Sequence, residues 1–309
     1  MATRIEQQRL SQFSHLELLA KEVVEGFITG MHKSPFHGFS VEFAEHRAYN
    51  PGESTRHIDW KLYARTEKLF VKRYEEETNL RGEILVDASS SMNFPDEKGR
   101  ERFNKLEFAV HAAAALVTLL RKQRDAVGLS IFSDQLELLT EARVNAAHMR
   151  FIFQQLEQLL NTERERQQKR TNVTGSLHQI AERIHKRSLV ILFSDMMDNS
   201  EEQEELFSAL QHLRHNKHEV LLFHVMDAPY ELNFELENRP YSFIDLETGE
   251  EVKANPNEVR EHYTERMHEF HEQLRTRCHQ YGVDFVPCDI SRGFDTVLWE
   301  YLNKRSRLY

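Results

Sequence analysis

From residue 81 onward, short uninterrupted apolar runs alternate with longer stretches in which apolar residues recur every three or four positions. The short runs predict strands at Glu83–Asp87, Val127–Ser133, Ser188–Ser194, Glu219–Val225 and Val283–Cys288. Val190-Ile191-Leu192-Phe193 and Val220-Leu221-Leu222-Phe223 hold no polar residue, as expected of strands covered on both faces. The periodic stretches predict helices at Asn104–Lys122, Asn145–Leu160, Thr174–His185, Glu201–Asn216, Asn257–Tyr281 and Phe294–Lys304. Gln135–Leu139 reads as an antiparallel partner of the strand before it. Strands and helices alternating in this way make the expected fold class α/β, with a doubly wound, mostly parallel sheet.

Upstream the pattern changes. Leu10, Phe13, Leu16, Leu19 and Val23 fall on one side of a predicted helix, and Gly26 and Gly30 break it. Asn50-Pro51-Gly52 is a turn signal. Ser54 or Thr55 is placed to cap a short helix carrying Ile58 and Leu62, and Leu69–Tyr74 reads as a strand. The expected organisation is an N-terminal helical and β extension over residues 1–79, then a main domain over 80–309. A loop insertion at 228–255 interrupts that domain, with a hairpin turn at Leu246–Glu250.

Composition narrows the function classes. The chain of 309 residues is 40% hydrophobic and 29% charged, which is globular. A net charge of −10 argues against nucleic acid as a partner, because phosphate contacts need clustered Lys and Arg. The first residues lack the apolar core of a secretory signal, and Phe108–Leu120 is too short for a membrane span. Cys278 and Cys288 form no disulfide framework. The expected location is the cytoplasm, without membrane insertion.

The candidate chemistry sits at strand ends. Asp87, Ser89 and Ser91 form Asp-x-Ser-x-Ser directly after an apolar strand, three oxygen ligands within five residues. Such a set suits Mg²⁺ or Mn²⁺, hard cations that keep several of their own waters. A strand-to-helix turn whose hydroxyls cap the helix has the same residue types, so further ligands decide between the two. Two neighbouring segments can supply them: Lys169–Leu177, rich in hydroxyls before a helix, and Leu192–Asp198, an apolar strand ending in an acid. Asp195 can equally cap the helix that follows it.

With these residues in place, the chain resembles the von Willebrand factor A domain. Its metal-ion-dependent adhesion site has Asp-x-Ser-x-Ser, then Thr, then Asp. The resemblance assigns those roles to Asp87, Ser89, Ser91, Thr171 and Asp195, with Thr174 as the alternative for the Thr. Glu42-Phe43, Arg47-x-Tyr49-x-Pro51-Gly52-Glu53, Arg56-x-Ile58-Asp59-Trp60 and Ala64-Arg65-Thr66 are similar to the signature of the domain of unknown function 58 family. That resemblance implies a von Willebrand factor A-like fold with an N-terminal extension. It also implies an adaptor or co-chaperone role beside a MoxR-type AAA+ ATPase, and no catalytic activity. In such a site the metal, Mg²⁺ or Mn²⁺, takes a carboxylate from a partner protein.

Arg47, Arg56, Asp59 and Arg65 form a second group, read either as an internal ion-pair network or as a partner-binding surface. The interleaved Ile58, Trp60 and Leu62 favour the network. His212, His215 and His218, like His262, His268 and His271, have spacings that chance accounts for among 17 histidines. The competing function is a metal-dependent phosphohydrolase using Asp87. Against it, Ser89 stands where a strand-tip Asp nucleophile has its acid/base partner, and neither a nucleotide-binding Gly-Lys loop nor a Gly-x-Ser-x-Gly elbow is present. A purely structural metal is the third reading.

Overall fold

The computed structural model describes residues 15–30, 42–49, 58–75, 80–95, 102–161, 173–197, 203–245 and 250–308. They group into two compact units, residues 36–80 and the remainder. This division differs from a boundary at residue 79, because the first helix groups with the sheet-bearing unit.

In the smaller unit, β1 (Glu42–Ala48) pairs antiparallel with β2 (Phe70–Glu75), with a register shift between Phe43 and Glu45. The short helix α2 (Trp60–Thr66) lies between them along the chain. Its cap is Asp59, whose Oδ1 accepts the Lys61 and Leu62 amides at 3.0 Å each. The expected caps Ser54 and Thr55 lie outside the described residues. Ile58 is not on the helix but bridges Val71. Glu42–Ala48 was not legible as a strand, because its charged residues break the period of two.

The larger unit opens with α1 (His15–Gly30), whose Leu16, Ala20, Val24 and Phe27 are buried. This helix runs through Gly26 rather than ending there. One continuous buried stripe outweighs the ~1 kcal/mol that glycine costs inside a helix. Six strands then form the central sheet: β3 (Arg81–Asp87), β4 (Ala126–Phe132), β5 (Leu136–Leu139), β6 (Leu189–Ser194), β7 (Glu219–Met226) and β10 (Asp284–Asp289). Their order is β10-β7-β6-β3-β4-β5, all parallel except the antiparallel edge strand β5. The insertion after β7 carries β8 (Tyr241–Ile244) and β9 (Glu251–Ala254), paired as the expected hairpin.

The side-chain period of two divides the core between the faces of the sheet. Leu85, Val190, Leu192, Val220 and Leu222 pack in one cluster with residues of the helices Val173–Arg183 and Gln203–His215. On alternate positions, Phe193 stacks on Phe223 at 4.9 Å, and Phe223 meets Tyr301 of the last helix, Phe294–Leu308, edge-on. The helix Lys105–Lys122, here called α3, packs against β3, β4, β6 and β7. It is buried almost throughout. Asn104 caps it with a reciprocal box: its Oδ1 accepts the Glu107 amide, and its own amide donates to Glu107 Oε2.

The chain enters the sheet at β3, runs outward to β4 and β5, then returns to β6 on the other side of β3. The carboxyl ends of β3 and β6 therefore flank the topological switch point, where open α/β sheets form a crevice.

Candidate metal centre

β3 delivers Asp87 to that crevice fully buried. Asp87 Oδ1 accepts the Ser89 amide at 2.9 Å, and its Oδ2 accepts the Ser194 hydroxyl at 2.6 Å. The first bond folds the chain directly after the strand, so that Ser89 precedes the tight turn Ser90–Asn93. This turn brings Ser89 Oγ and Ser91 Oγ to 3.1 Å of each other. Burial raises the Asp87 carboxyl well above the ordinary carboxylate range; the Asp195 charge raises it further, against the lowering effect of its hydrogen bonds.

β6 delivers Asp195 beside it, almost completely buried. Met196 has positive φ, 52°, and the Met197 amide donates to Asp195 Oδ1 at 3.1 Å. The Asp195 Oδ2 accepts from Lys105 Nζ at 2.7 Å, and the same ammonium donates to Glu231 Oε1. Lys105 is 1% exposed. Burial acts to lower its pKa, but Asp195 and Glu231 more than offset this and hold it above the usual lysine value. Glu231 Oε2 accepts the Asp227 amide at 2.7 Å, and Asp227 pairs with Arg102 at 2.8 Å. His224 Nε2 donates to the Asp195 carbonyl at 2.9 Å, and burial pushes this imidazole down to about 4, so it is neutral.

The donor set fits a hard divalent cation. Cis oxygens around an octahedral ion with bonds of about 2.1 Å lie about 3.0 Å apart, close to the Ser89–Ser91 separation. A divalent cation would also offset the burial, and after it the Asp195 repulsion, that raise Asp87. Among the described residues no three His, Cys, Asp or Glu side chains close into a metal cage. A site built from hydroxyls and two carboxylates does not need one.

Four of the expected ligands thus divide into Asp87, Ser89 and Ser91 on one strand tip and Asp195 on the adjacent one. Thr171 lies outside the described residues. The alternative Thr174 is buried in the first turn of Val173–Arg183. In the smaller unit, Asp59 acts as a helix cap, Arg65 is exposed with its Nε near the Lys61 carbonyl, and Arg56 and the Arg47 side chain lie outside the described residues. His212 Nδ1 meets His178 Nδ1 at 2.9 Å, whereas His218 Nδ1 accepts the Ser188 amide. The two residues therefore have separate partners.

Ser194, Lys105 and Glu231 were missed from sequence. Ser194 could have been found as the last strand residue beside Asp195. Lys105 could have been found as a cation in the first turn of a helix, where the helix dipole disfavours it, ahead of the long apolar run Ala112–Val117. Nothing in the insertion marks Glu231.

No helix among the described residues is long and apolar enough to cross a membrane. Uncharacterized proteins of Mycobacterium tuberculosis and Mycobacterium bovis are each 31% identical over 133 residues, 43% of this chain. The chain spans only 41% of the length of those relatives. Among solved structures, the conserved hypothetical protein BatB from Bacteroides thetaiotaomicron is 14% identical with a TM-score of 0.44, covering 74% of this chain and 99% of that one. An aerotolerance-related membrane protein from Bacteroides fragilis is 15% identical with a TM-score of 0.41, covering 74% and 100%. At these scores neither likeness carries an argument about function. The family described as protein of unknown function DUF58 matches residues 45–273, most of the chain, and the protein belongs to that family.

Proposed function

We propose that the larger unit is a von Willebrand factor A-like interaction module whose metal-ion-dependent adhesion site binds a carboxylate of a partner protein. The observation that carries this reading is the hydroxyl pair of Ser89 and Ser91, 3.1 Å apart beside the buried Asp87. Mg²⁺ or Mn²⁺ would be held by these three residues, with Asp195 and Thr171 or Thr174 completing the set. When bound, the ion supplies an electrophilic position for an oxygen anion. The chain's own residues prepare that position: Ser194 and the Ser89 amide fix the orientation of Asp87, and the Met197 amide fixes Asp195. Both Asp87 oxygens accept hydrogen bonds, and the side chain is buried, which supports a ligand role over a nucleophile. The reading carries with it the expected partner, a MoxR-type AAA+ ATPase, and the adaptor or co-chaperone role.

Calorimetric titration of Mg²⁺ and Mn²⁺ tests it. The wild type is expected to bind one ion saturably, and the Ser89→Ala/Ser91→Ala variant, with an unchanged circular dichroism spectrum, to bind none. Equal binding by both proteins would overturn the site.

A further inference from the structure

Lys105 stands against two general rules. It occupies the first turn of α3, where the helix dipole disfavours a cation. It is also buried, where an ammonium persists only if paired. Two acids hold it there, and they come from different places in the chain. Asp195 belongs to the end of β6 and to the candidate metal centre. Glu231 belongs to the short turn Ala228–Leu232, which follows β7 and leads toward the hairpin.

The consequence lies in the Asp195 oxygens. The Met197 amide occupies Oδ1, and the Lys105 ammonium occupies Oδ2. A divalent ion held by Asp87, Ser89 and Ser91 and reaching toward Asp195 meets a carboxylate already paired with an internal cation. Two cations on one carboxylate repel, and that repulsion is weakly screened where water is excluded. Among the described residues the other acid that the ammonium meets is Glu231, which is itself fixed through its second oxygen to the Asp227 amide.

We propose that Lys105 is a resident cation that competes with the divalent ion for Asp195, and that Glu231 sets the balance by drawing the ammonium away. This rests on the metal reading above and adds regulation to it. A ligand that displaces the turn carrying Glu231 leaves Lys105 to Asp195 alone and weakens the metal. Arg102, which pairs with Asp227 and has no bond to Asp195, provides the control for a general loss of positive charge.

The test is calorimetric titration of Mn²⁺ and Mg²⁺ into the full chain, as wild type, Lys105→Met, Glu231→Gln and Arg102→Gln. Lys105→Met is expected to tighten divalent binding about tenfold or more, and Glu231→Gln to weaken it by about fivefold. Arg102→Gln should stay within about threefold, because its charge is partly solvent-screened. Thermal unfolding gives a second readout. Lys105→Met should lose stability in chelator and regain it with Mn²⁺ to a greater extent than the wild type. Binding by the wild type with no tightening in Lys105→Met overturns the competition and leaves the metal site standing. Equal tightening in Arg102→Gln also overturns it, in favour of the general field. If Lys105→Met does not fold, unchanged affinity in Glu231→Gln overturns it. No saturable binding in any variant overturns the metal reading and the competition together.

Discussion

Glu83 and Asp87 lie four residues apart on β3, on the same side of the strand as Leu85, and both are buried. Burial raises the pKa of each. What surrounds them differs. Asp87 stands at the strand tip with a hydroxyl and an amide on its two oxygens and a second acid nearby. Glu83 lies inside the sheet opposite Gly128, and its Oε2 finds no hydrogen-bond partner among the described residues. The same desolvation thus acts on one carboxyl fitted with donors and on another left to protonate. Burial alone does not mark a site; the donors arranged around the buried charge do.

The largest effect expected from this contrast belongs to Glu83. In the unfolded chain it ionises near 4.5, and in the folded protein burial pushes it up to about 8, against a lowering influence from Arg81. Between those values unfolding releases a proton, so stability falls as pH rises through that window and levels off above it. Glu83→Gln removes that slope. The variant is expected to be more stable than the wild type by about 2–4 kcal/mol at pH 8, with the gap closing to within about 1 kcal/mol at pH 5. Urea unfolding at the two pH values measures it. A gap that does not change with pH would mean that Glu83 is ionised in the folded state.

Ser194 tests the other side of the comparison. Ser194→Ala leaves Asp87 Oδ2 without its hydroxyl donor and the Met196 amide without its acceptor. The expected loss is about 1–3 kcal/mol, the cost of buried polar groups without partners. If the metal reading holds, saturating Mn²⁺ should recover part of that loss, because an ion can take the place of the missing donor. A loss that Mn²⁺ does not touch would make Ser194 purely a packing residue.

The sequence carried the sheet well and the site unevenly, for physical reasons. The central strands and their flanking layers follow from runs such as Val190–Phe193, because burial on two faces leaves few polar positions to confuse the period. The strand tips were legible too, since an apolar run that ends in Asp87 or Asp195 has a sharp chemical boundary. Lys105 and Glu231 were not legible, because their significance is a contact across 126 residues. No local pattern encodes that distance. Gly26 misled for the reverse reason: local propensity argued for an end, and the buried stripe of α1 overrode it.

The smallest effect expected concerns the space beside Glu83. Gly128 faces Glu83 across the ladder, and a Cβ built on it would lie 2.1 Å from Glu83 Oε2 and 3.0 Å from the Thr140 carbonyl. The first contact is with the end of a flexible side chain, so Glu83 must turn aside. The second is with backbone, which cannot yield as easily. Gly128→Ala is therefore expected to cost about 1–2 kcal/mol, as overpacking of a core does. In a Glu83→Ala background only the Thr140 contact remains, so the same change should cost less, and the two substitutions should couple favourably by about 0.5–1 kcal/mol. Thermal denaturation of the four proteins closes the cycle. Strict additivity would mean that Gly128 answers to the Thr140 carbonyl alone and that the buried acid occupies space nothing else needs. The contrast with Asp87, whose two oxygens each accept a hydrogen bond, would then be complete.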